Sequence, residues 1–442
     1  MEESKKMKVA MICHFSNKEV REHLPLSKLK LYRVARKLLG LPAKREGYGD
    51  IAPWNSNMID AIKERDDIDL FVISAHNGLK KPVVSFDSNK IHYHFIRCDF
   101  STFLKHVIPN DNLWRKLNPM TPKVRRIIKI INPDVVVLAG AENAHYSSTI
   151  LGIDGYPVYV LCQTVYNDPS FKAAGSWESK NGTTEKKILE KVQYVGVNCK
   201  KHGLALRDLG YQGYIFRFDW PVVNKPPFVP MPVEHKEYDF INFALSMSEQ
   251  KGYHDCIKAL AIVKQKFPDV KLDLVDGGPS TVKAELIQLI MEFGLEKNVT
   301  FTPFFENRND LFQHLQTVRF AVLPCKLDNI SGTQLQSMKF GLPLVCYKTD
   351  GTPSFNKDKE CVLIAEMNDV EELAQKMIVL MENPQKAETL RKNSLEYFAN
   401  RRAKALENLP RLIENFHAII KNYRNKIAIS EEQLFDAGNH TV

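Results

Sequence analysis

Residues 323–345 read Leu-Pro-Cys-Lys-Leu-Asp-Asn-Ile-Ser-Gly-Thr-Gln-Leu-Gln-Ser-Met-Lys-Phe-Gly-Leu-Pro-Leu-Val. A buried strand runs to Pro324, a polar loop carrying Gly332 follows, a short helix extends to a glycine stop at Gly341, and a second strand starts after Pro343. A loop of small residues that opens a helix exposes backbone N–H groups and the positive end of a helix dipole, which together suit a phosphate. Ser-Gly-Thr also serves in many proteins as a plain helix cap. Alone, the stretch therefore defines a strand-helix-strand unit and leaves the ligand open.

Outward from this window the same alternation continues. On its side of the chain, Phe240–Ala244, Leu272–Val275, Val299–Phe301, Phe320–Leu323, Leu344–Cys346 and Val362–Ile364 are predicted strands, and His254–Lys266, Val282–Phe293 and Thr333–Phe340 predicted helices. Towards the N-terminus, Val9–Cys13, Leu70–Ser74, His92–Ile96, Val135–Leu138, Val158–Leu161 and Tyr194–Val197 read as strands, with Ser56–Lys63 and Lys123–Ile131 among the helices between them. Apolar strands alternating with helices predict parallel sheets covered on both faces. Prolines at 221, 226, 227, 230 and 232 forbid a continuing helix or a central strand and mark a linker. The expected plan is a domain over 1–220, a linker over 221–237, a second domain over 238–410 and a helical segment over 411–442 that packs back on the first. Tandem open sheets bind ligands where their strands' carboxyl ends meet a crevice.

A length of 442 residues, 44% hydrophobic and 26% charged, fits two soluble globular domains. The eight cysteines include no Cys-x-x-Cys pair, and Cys13, Cys162 and Cys346 lie in apolar strands. A reducing, cytoplasmic setting is expected, since Met1–Met7 has no apolar signal core. Net charge is +9. Residues 27–46 hold seven cations and no acid before Glu46, with Leu31, Val34, Leu38 and Leu41 at helical spacing. This segment reads equally as a peripheral contact with the inner, anionic face of a membrane and as an ordinary packed surface helix. No nucleic-acid-binding module stands out.

The window at 323–345 resembles the nucleotide-sugar motif of the family-4-type, or group 1, retaining glycosyltransferases, among them bacterial capsule and exopolysaccharide enzymes. That motif has a Glu, seven residues and a second Glu before Ala-Met-x-x-Gly-x-Pro-Val-Val; Asp328 and Gln336 stand at the two acidic places, and Ser337–Val345 follows the rest. Three further segments fall in the family's order. Phe243–Gly252 is similar to the segment with Gly-Arg at its start and Lys-Gly at its end, with Ser246 in the Arg position and Lys251-Gly252 kept. Leu272–Pro279 resembles a strand ending in Gly-x-Gly-Pro, with Asp276 for the first Gly, and Gly351-Thr352-Pro353 resembles a later Gly-x-Pro, with Ser354 in place of a Glu. More loosely, Pro133–Gly140 resembles the acceptor domain's Pro-Asp strand, and Gln163 ends a strand where relatives carry His or Gln.

The resemblance implies the glycosyltransferase-B architecture, two Rossmann-like domains facing across a cleft, and transfer of sugar from a nucleotide-diphosphate sugar to a glycan or lipid-linked acceptor, with retention, in surface polysaccharide synthesis. It implies donor binding by Ser246, Lys251, Gly278, Asp328, Ser331, Gly332, Thr333 and Gln336, acceptor binding by Glu142, His145 and Gln163, and catalysis by Asp328, Lys251, Gln163 and His145. Lys251 and the N–H groups of residues 331–333 would stabilise the leaving diphosphate. No cofactor or divalent ion is required, and no cluster has metal-ligand spacing. His14 is expected to be structural. The altered Ser246, Gln336 and Ser354 keep two alternatives open: a weakened fold-mate that binds nucleotide sugars or glycans, and another enzyme of this architecture such as an epimerase or phosphorylase.

Overall fold

The computed structural model describes residues 6–26, 52–169, 179–221, 236–244, 247–276, 281–305, 308–326 and 330–435. These fall into two compact units: residues within Met1–Tyr32, Gly47–Lys225 and Lys404–Val442 form the first, and those within Pro226–Ala403 the second.

The first unit carries an eight-stranded sheet in the order β3-β4-β2-β1-β5-β6-β7-β8. Its strands are β1 Met7–Cys13, β2 Ile68–His76, β3 Val83–Ser88, β4 Ile91–Arg97, β5 Val135–Ala139, β6 Val158–Leu161, β7 Tyr194–Val197 and β8 Tyr214–Arg217. All pairs are parallel except β3 with β4. Along β1, Val9, Met11 and Cys13 enter one core and Ala10 and Ile12 the other, so both faces are covered. Helix Pro53–Ile62 lies over the first core through Met58, Ile59 and Ile62. Helix Thr121–Ile131 lies over the second through Val124, Ile128 and Ile131, at the helical spacing visible in the sequence.

Two strands escape the sequence reading. In β3, Ser85 and Asp87 alternate with Val84 and Phe86, and no side chain of the strand is fully buried, so its apolar run is short. Asn89 and Lys90 both take positive φ, which makes the two-residue hairpin that turns the chain back antiparallel. β8, Tyr-Ile-Phe-Arg, is the opposite edge of the sheet and fully buries only Ile215 and Phe216.

The last long helix, Asn408–Asn425, buries Leu412, Ile413, Phe416 and Ile419 in the first unit's core. Two of its polar residues are tied there as well. Tyr194 donates its hydroxyl to Asn422 at 2.7 Å, and Asn415 donates to the Arg217 carbonyl at 3.0 Å.

The second unit holds a six-stranded, all-parallel sheet in the order β11-β10-β9-β12-β13-β14. Its strands are β9 Tyr238–Phe243, β10 Leu272–Asp276, β11 Val299–Pro303, β12 Val318–Val322, β13 Leu344–Tyr347 and β14 Leu363–Ala365. Along β13 Leu344 and Cys346 face one core and Val345 and Tyr347 the other, as a doubly covered strand must. Seven cysteines of the chain are buried and Cys199 is half-buried, all as free thiols. Among the described residues no helix is long and apolar enough to cross a membrane.

Candidate functional site

Strand order reverses once in each sheet, between β1 and β5 in the first and between β9 and β12 in the second. At such a reversal the loops leaving two neighbouring strands diverge to opposite faces and open a crevice at the strands' carboxyl ends.

At the β9/β12 reversal, the turn after β9 and the loop after β12 meet. Glu249–Lys251 forms one turn of 3-10 helix, capped by Ser248, whose hydroxyl accepts the Lys251 N–H at 3.2 Å. Gly252 follows at φ 77°, and a Cβ there would stand 2.3 Å from the Pro324 carbonyl oxygen. Only glycine lets this turn approach the β12 loop so closely. Lys326 N–H donates to the Gln250 carbonyl at 2.8 Å, and the Lys251 ammonium lies 3.8 Å from the Cys325 thiol.

The helix after β12 is Gly332–Lys339. Its start is a capping box: the Ser331 hydroxyl accepts the Thr333 N–H at 3.3 Å, and Gln334 accepts the Ser331 N–H at 2.9 Å. Gln334 also donates to the Leu323 carbonyl at 3.2 Å, fastening the helix to the end of β12. Of the three N–H groups expected at a phosphate, those of Ser331 and Thr333 are thus engaged within the cap. Gly332 is exposed between them, with open space where a Cβ would project. Gln336 is half-buried one turn further along. Ser246, Gly278 and Asp328 lie outside the described residues.

Sequence reasoning passed over a polar anchor beneath this site. Asp255, buried in the first turn of helix Tyr253–Lys266, accepts the Tyr347 hydroxyl at 2.8 Å and pairs with the Lys326 ammonium at 2.9 Å. It joins the elements after β9 and β12 to the end of β13. The acid three residues after a Lys-Gly pair was visible, but its partners lie 71 and 92 positions away and no local pattern connects them. After β13, Thr352 donates to the Tyr347 carbonyl at 3.0 Å and accepts the Thr349 N–H at 2.9 Å, so the Gly-Thr-Pro turn is closed on itself. A groove of about 470 Å³ lined by Lys236, Pro343 and Arg391 among others lies at the opposite, amino-terminal end of this sheet.

At the β1/β5 reversal a second cluster forms. Glu142 and His145 leave β5, Gln163 leaves β6, and Trp54 begins helix Pro53–Ile62. The Gln163 carboxamide, oriented by its neighbours, donates to Glu142 at 3.1 Å and accepts the Trp54 indole N–H at 2.5 Å. Gly140, at φ 87°, lies under the Glu142 carboxyl, where a Cβ would stand 2.4 Å from Oε1. Asn143 donates to Oε1 at 3.3 Å, while the buried Oε2 has no hydrogen-bond partner among the described residues. Burial pushes the Glu142 carboxyl up to about 8; its own backbone N–H opposes this, and the charge of Glu185 adds to it. Glu185 is itself buried and raised by burial, and accepts the Tyr166 and Asn167 N–H groups at 2.7 and 2.9 Å.

His145 and His14 meet edge to face, with ring centroids 5.4 Å apart, so the expected structural histidine stands in the same cluster as the expected acceptor-site one. Trp54 and Glu185 carried no motif and were not anticipated. Among the described residues no three His, Cys, Asp or Glu side chains gather as a metal-binding group.

Two α/β units, each with one strand reversal and polar loops at its carboxyl edge, make up the glycosyltransferase-B fold. The solved structures agree: sucrose-phosphate synthase from Thermosynechococcus elongatus is similar over 93% of this chain and all of its own, with a TM-score of 0.64 at 15% identity. Anabaena HepE in complex with UDP and glucose is similar over 92% of this chain and all of its own, with a TM-score of 0.60 at 15% identity. More narrowly, residues 231–397 match the family of glycosyl transferases group 1. An uncharacterized glycosyltransferase of Haemophilus influenzae is 26% identical over 136 residues, 30% of this chain and 37% of that protein. Another from Bacillus subtilis, YqgM, is 28% identical over 142 residues, 32% of this chain and 39% of that protein. The chain thus matches well under half the length of these curated relatives.

Proposed function

We propose that the chain transfers a glycosyl group from a nucleotide-diphosphate sugar to a glycan or lipid-linked acceptor, with retention of configuration, in the synthesis of a surface polysaccharide. The observation that carries this reading is the meeting of the Lys251 turn with the loop before helix Gly332–Lys339, at the strand reversal of the unit that matches group 1. The HepE structures contain UDP, with glucose or as UDP-glucose, which favours a uridine diphosphate donor here.

As the bond from sugar to diphosphate breaks, negative charge grows on the departing phosphate oxygen. The Lys251 ammonium and the exposed Gly332 N–H stabilise it, with the Ser331 and Thr333 N–H groups available once the cap yields. Ser246 contributes a hydroxyl where an Arg would supply a forked cation. Gly278 lets the backbone approach the donor, Asp328 holds donor-sugar hydroxyls, and Gln336 accepts from the ribose. Glu142, His145 and Gln163 bind the acceptor, with His145 and Gln163 nearest the reacting hydroxyl. The proposal requires no divalent ion, and the basic segment at 27–46 contacts an anionic membrane at the cytoplasmic face.

The test is thermal stabilisation by UDP and GDP followed by hydrolysis of a panel of nucleotide sugars, with and without EDTA. Stabilisation lost in Lys251→Ala and kept in His145→Ala supports the division of roles. Stabilisation without turnover on any acceptor leaves a binding protein instead, and no stabilisation by any nucleotide ends the proposal.

A further inference from the structure

The first turn of helix Pro53–Ile62 is fastened across the β1/β5 reversal at two points. Asn55, 1% exposed, donates to the carbonyl of His14, just past the end of β1, at 3.2 Å. Its neighbour Trp54 donates the indole N–H to Gln163, just past the end of β6. Because β5 lies between β1 and β6, the turn spans the strand from which Glu142 leaves. Trp54 is nonetheless 38% exposed, while Met58, Ile59 and Ile62 of the same helix are buried. A single exposed ring is ordinary on a protein surface. The polar atoms around this one give it a use.

Two oxygens of this cluster lack partners. Asn55 Oδ1 and Glu142 Oε2 are both buried with no hydrogen bond among the described residues. An unpaired buried acceptor is costly, and a ligand hydroxyl that reaches it removes the cost. A hydroxyl suits Glu142 in either form, since it donates to the carboxylate and accepts from the carboxyl. A phosphate or carboxylate ligand instead brings further acceptors, and beside Glu142 and Glu185 it brings further negative charge. The Lys105 ammonium is engaged by Asn181 at 2.9 Å, the same oxygen that accepts the Ala144 N–H in the loop after β5.

We propose that the first turn of helix Pro53–Ile62 is a sugar platform that sets acceptor specificity: an uncharged pyranoside ring lies on the Trp54 indole and directs its hydroxyls to Asn55 and Glu142. The inference rests on reading this cluster as the acceptor side, and it narrows that reading to acceptors that present a neutral sugar. A bare lipid phosphate is excluded. A pyranoside fits because one molecule carries an apolar C–H face for an aromatic ring together with hydroxyls that both donate and accept.

The experiment is titration of the full chain with the methyl pyranosides of glucose, galactose, mannose and N-acetylglucosamine, against glucuronic acid and glycerol phosphate as anionic probes. Ligand-observed NMR measures affinity, and tryptophan emission reports contact with the ring. At least one neutral pyranoside binds saturably and changes the emission. Trp54→Ala weakens that binding about tenfold. Trp54→Phe keeps a ring face, so it holds affinity within about threefold while the emission change is lost. Unchanged far-UV circular dichroism excludes misfolding of either variant. Binding of none of the pyranosides, binding that Trp54→Ala leaves unchanged, or tighter binding of an anionic probe overturns the inference. A protein that ignores UDP yet binds a pyranoside through Trp54 loses the donor reading and keeps the platform. Stabilisation by UDP without any sugar binding that depends on Trp54 does the reverse.

Discussion

The two strand reversals are built from the same topology and solve opposite electrostatic problems. At the β9/β12 reversal the turns are closed locally, through the Ser248 cap, the Ser331 and Gln334 box and the Thr349 and Thr352 turn. At the β1/β5 reversal the groups come from distant parts of the chain. There the carboxyl of Glu142 is buried, with one oxygen unpartnered among the described residues, and burial raises its proton affinity. A site of cationic and backbone donors is suited to a ligand that brings its own negative charge. A buried carboxyl that keeps its proton near neutrality is suited to a neutral, hydroxyl-rich partner, to which it can donate as well as accept. The proposed donor and acceptor sides would differ in this sense.

The comparison breaks most sharply at Lys251. Lys251→Ala should cost about 3 kcal/mol of transition-state stabilisation, near a hundredfold in kcat/KM, with nucleotide-induced melting shifts lost. His145→Ala should leave those shifts intact, and if both variants lose them equally the two regions are not separate in role.

Glu142→Gln tests the other side through pH. The folded-state proton affinity of Glu142 lies above the ordinary carboxylate range, so its contribution to stability is complete at low pH and is lost as pH rises towards about 8. The Gln variant escapes that loss. Its melting temperature should match wild type near pH 5 and exceed it near pH 8, by on the order of 3 kcal/mol in stability. A difference that does not change with pH would show that Glu142 ionises normally.

Gly252→Ala is expected to destabilise the second unit by about 2 kcal/mol, because positive φ and the Pro324 carbonyl both oppose a Cβ. Gly332→Ala, in open space, should leave folding nearly unchanged, and urea melts of the two variants measure the difference. Smallest of all, Ser331→Ala removes one side of the capping box and should cost about 1 kcal/mol. If phosphate displaces the cap on binding, Ser331→Ala loses less stability in saturating UDP than without it.

The second unit was the more legible in sequence because its signals are local. A strand, a small-residue loop and a capped helix occupy one continuous window, and Asp328 and Gln336 sit at fixed spacing within it. All six of its strands were readable as apolar runs between turn signals. In the first unit β3 and β8 were missed because both are edge strands without a continuous apolar run: β3 buries no side chain fully, and β8 fully buries only Ile215 and Phe216. Glu142, His145 and Gln163 were picked out at strand ends, while Trp54 and Glu185 carried no motif and became part of the cluster only through packing.

Sequence by itself determined two α/β units, the strands at their centres and the small-residue loop that opens helix Gly332–Lys339, because burial on both faces and helix capping are written in residues a few positions apart. Tertiary structure alone decided that Asp255 would hold Lys326 and Tyr347 and that Gln163 would bridge Trp54 to Glu142. These contacts join segments tens to hundreds of residues apart, and no periodicity records which of many compatible partners chain folding brings within hydrogen-bond reach.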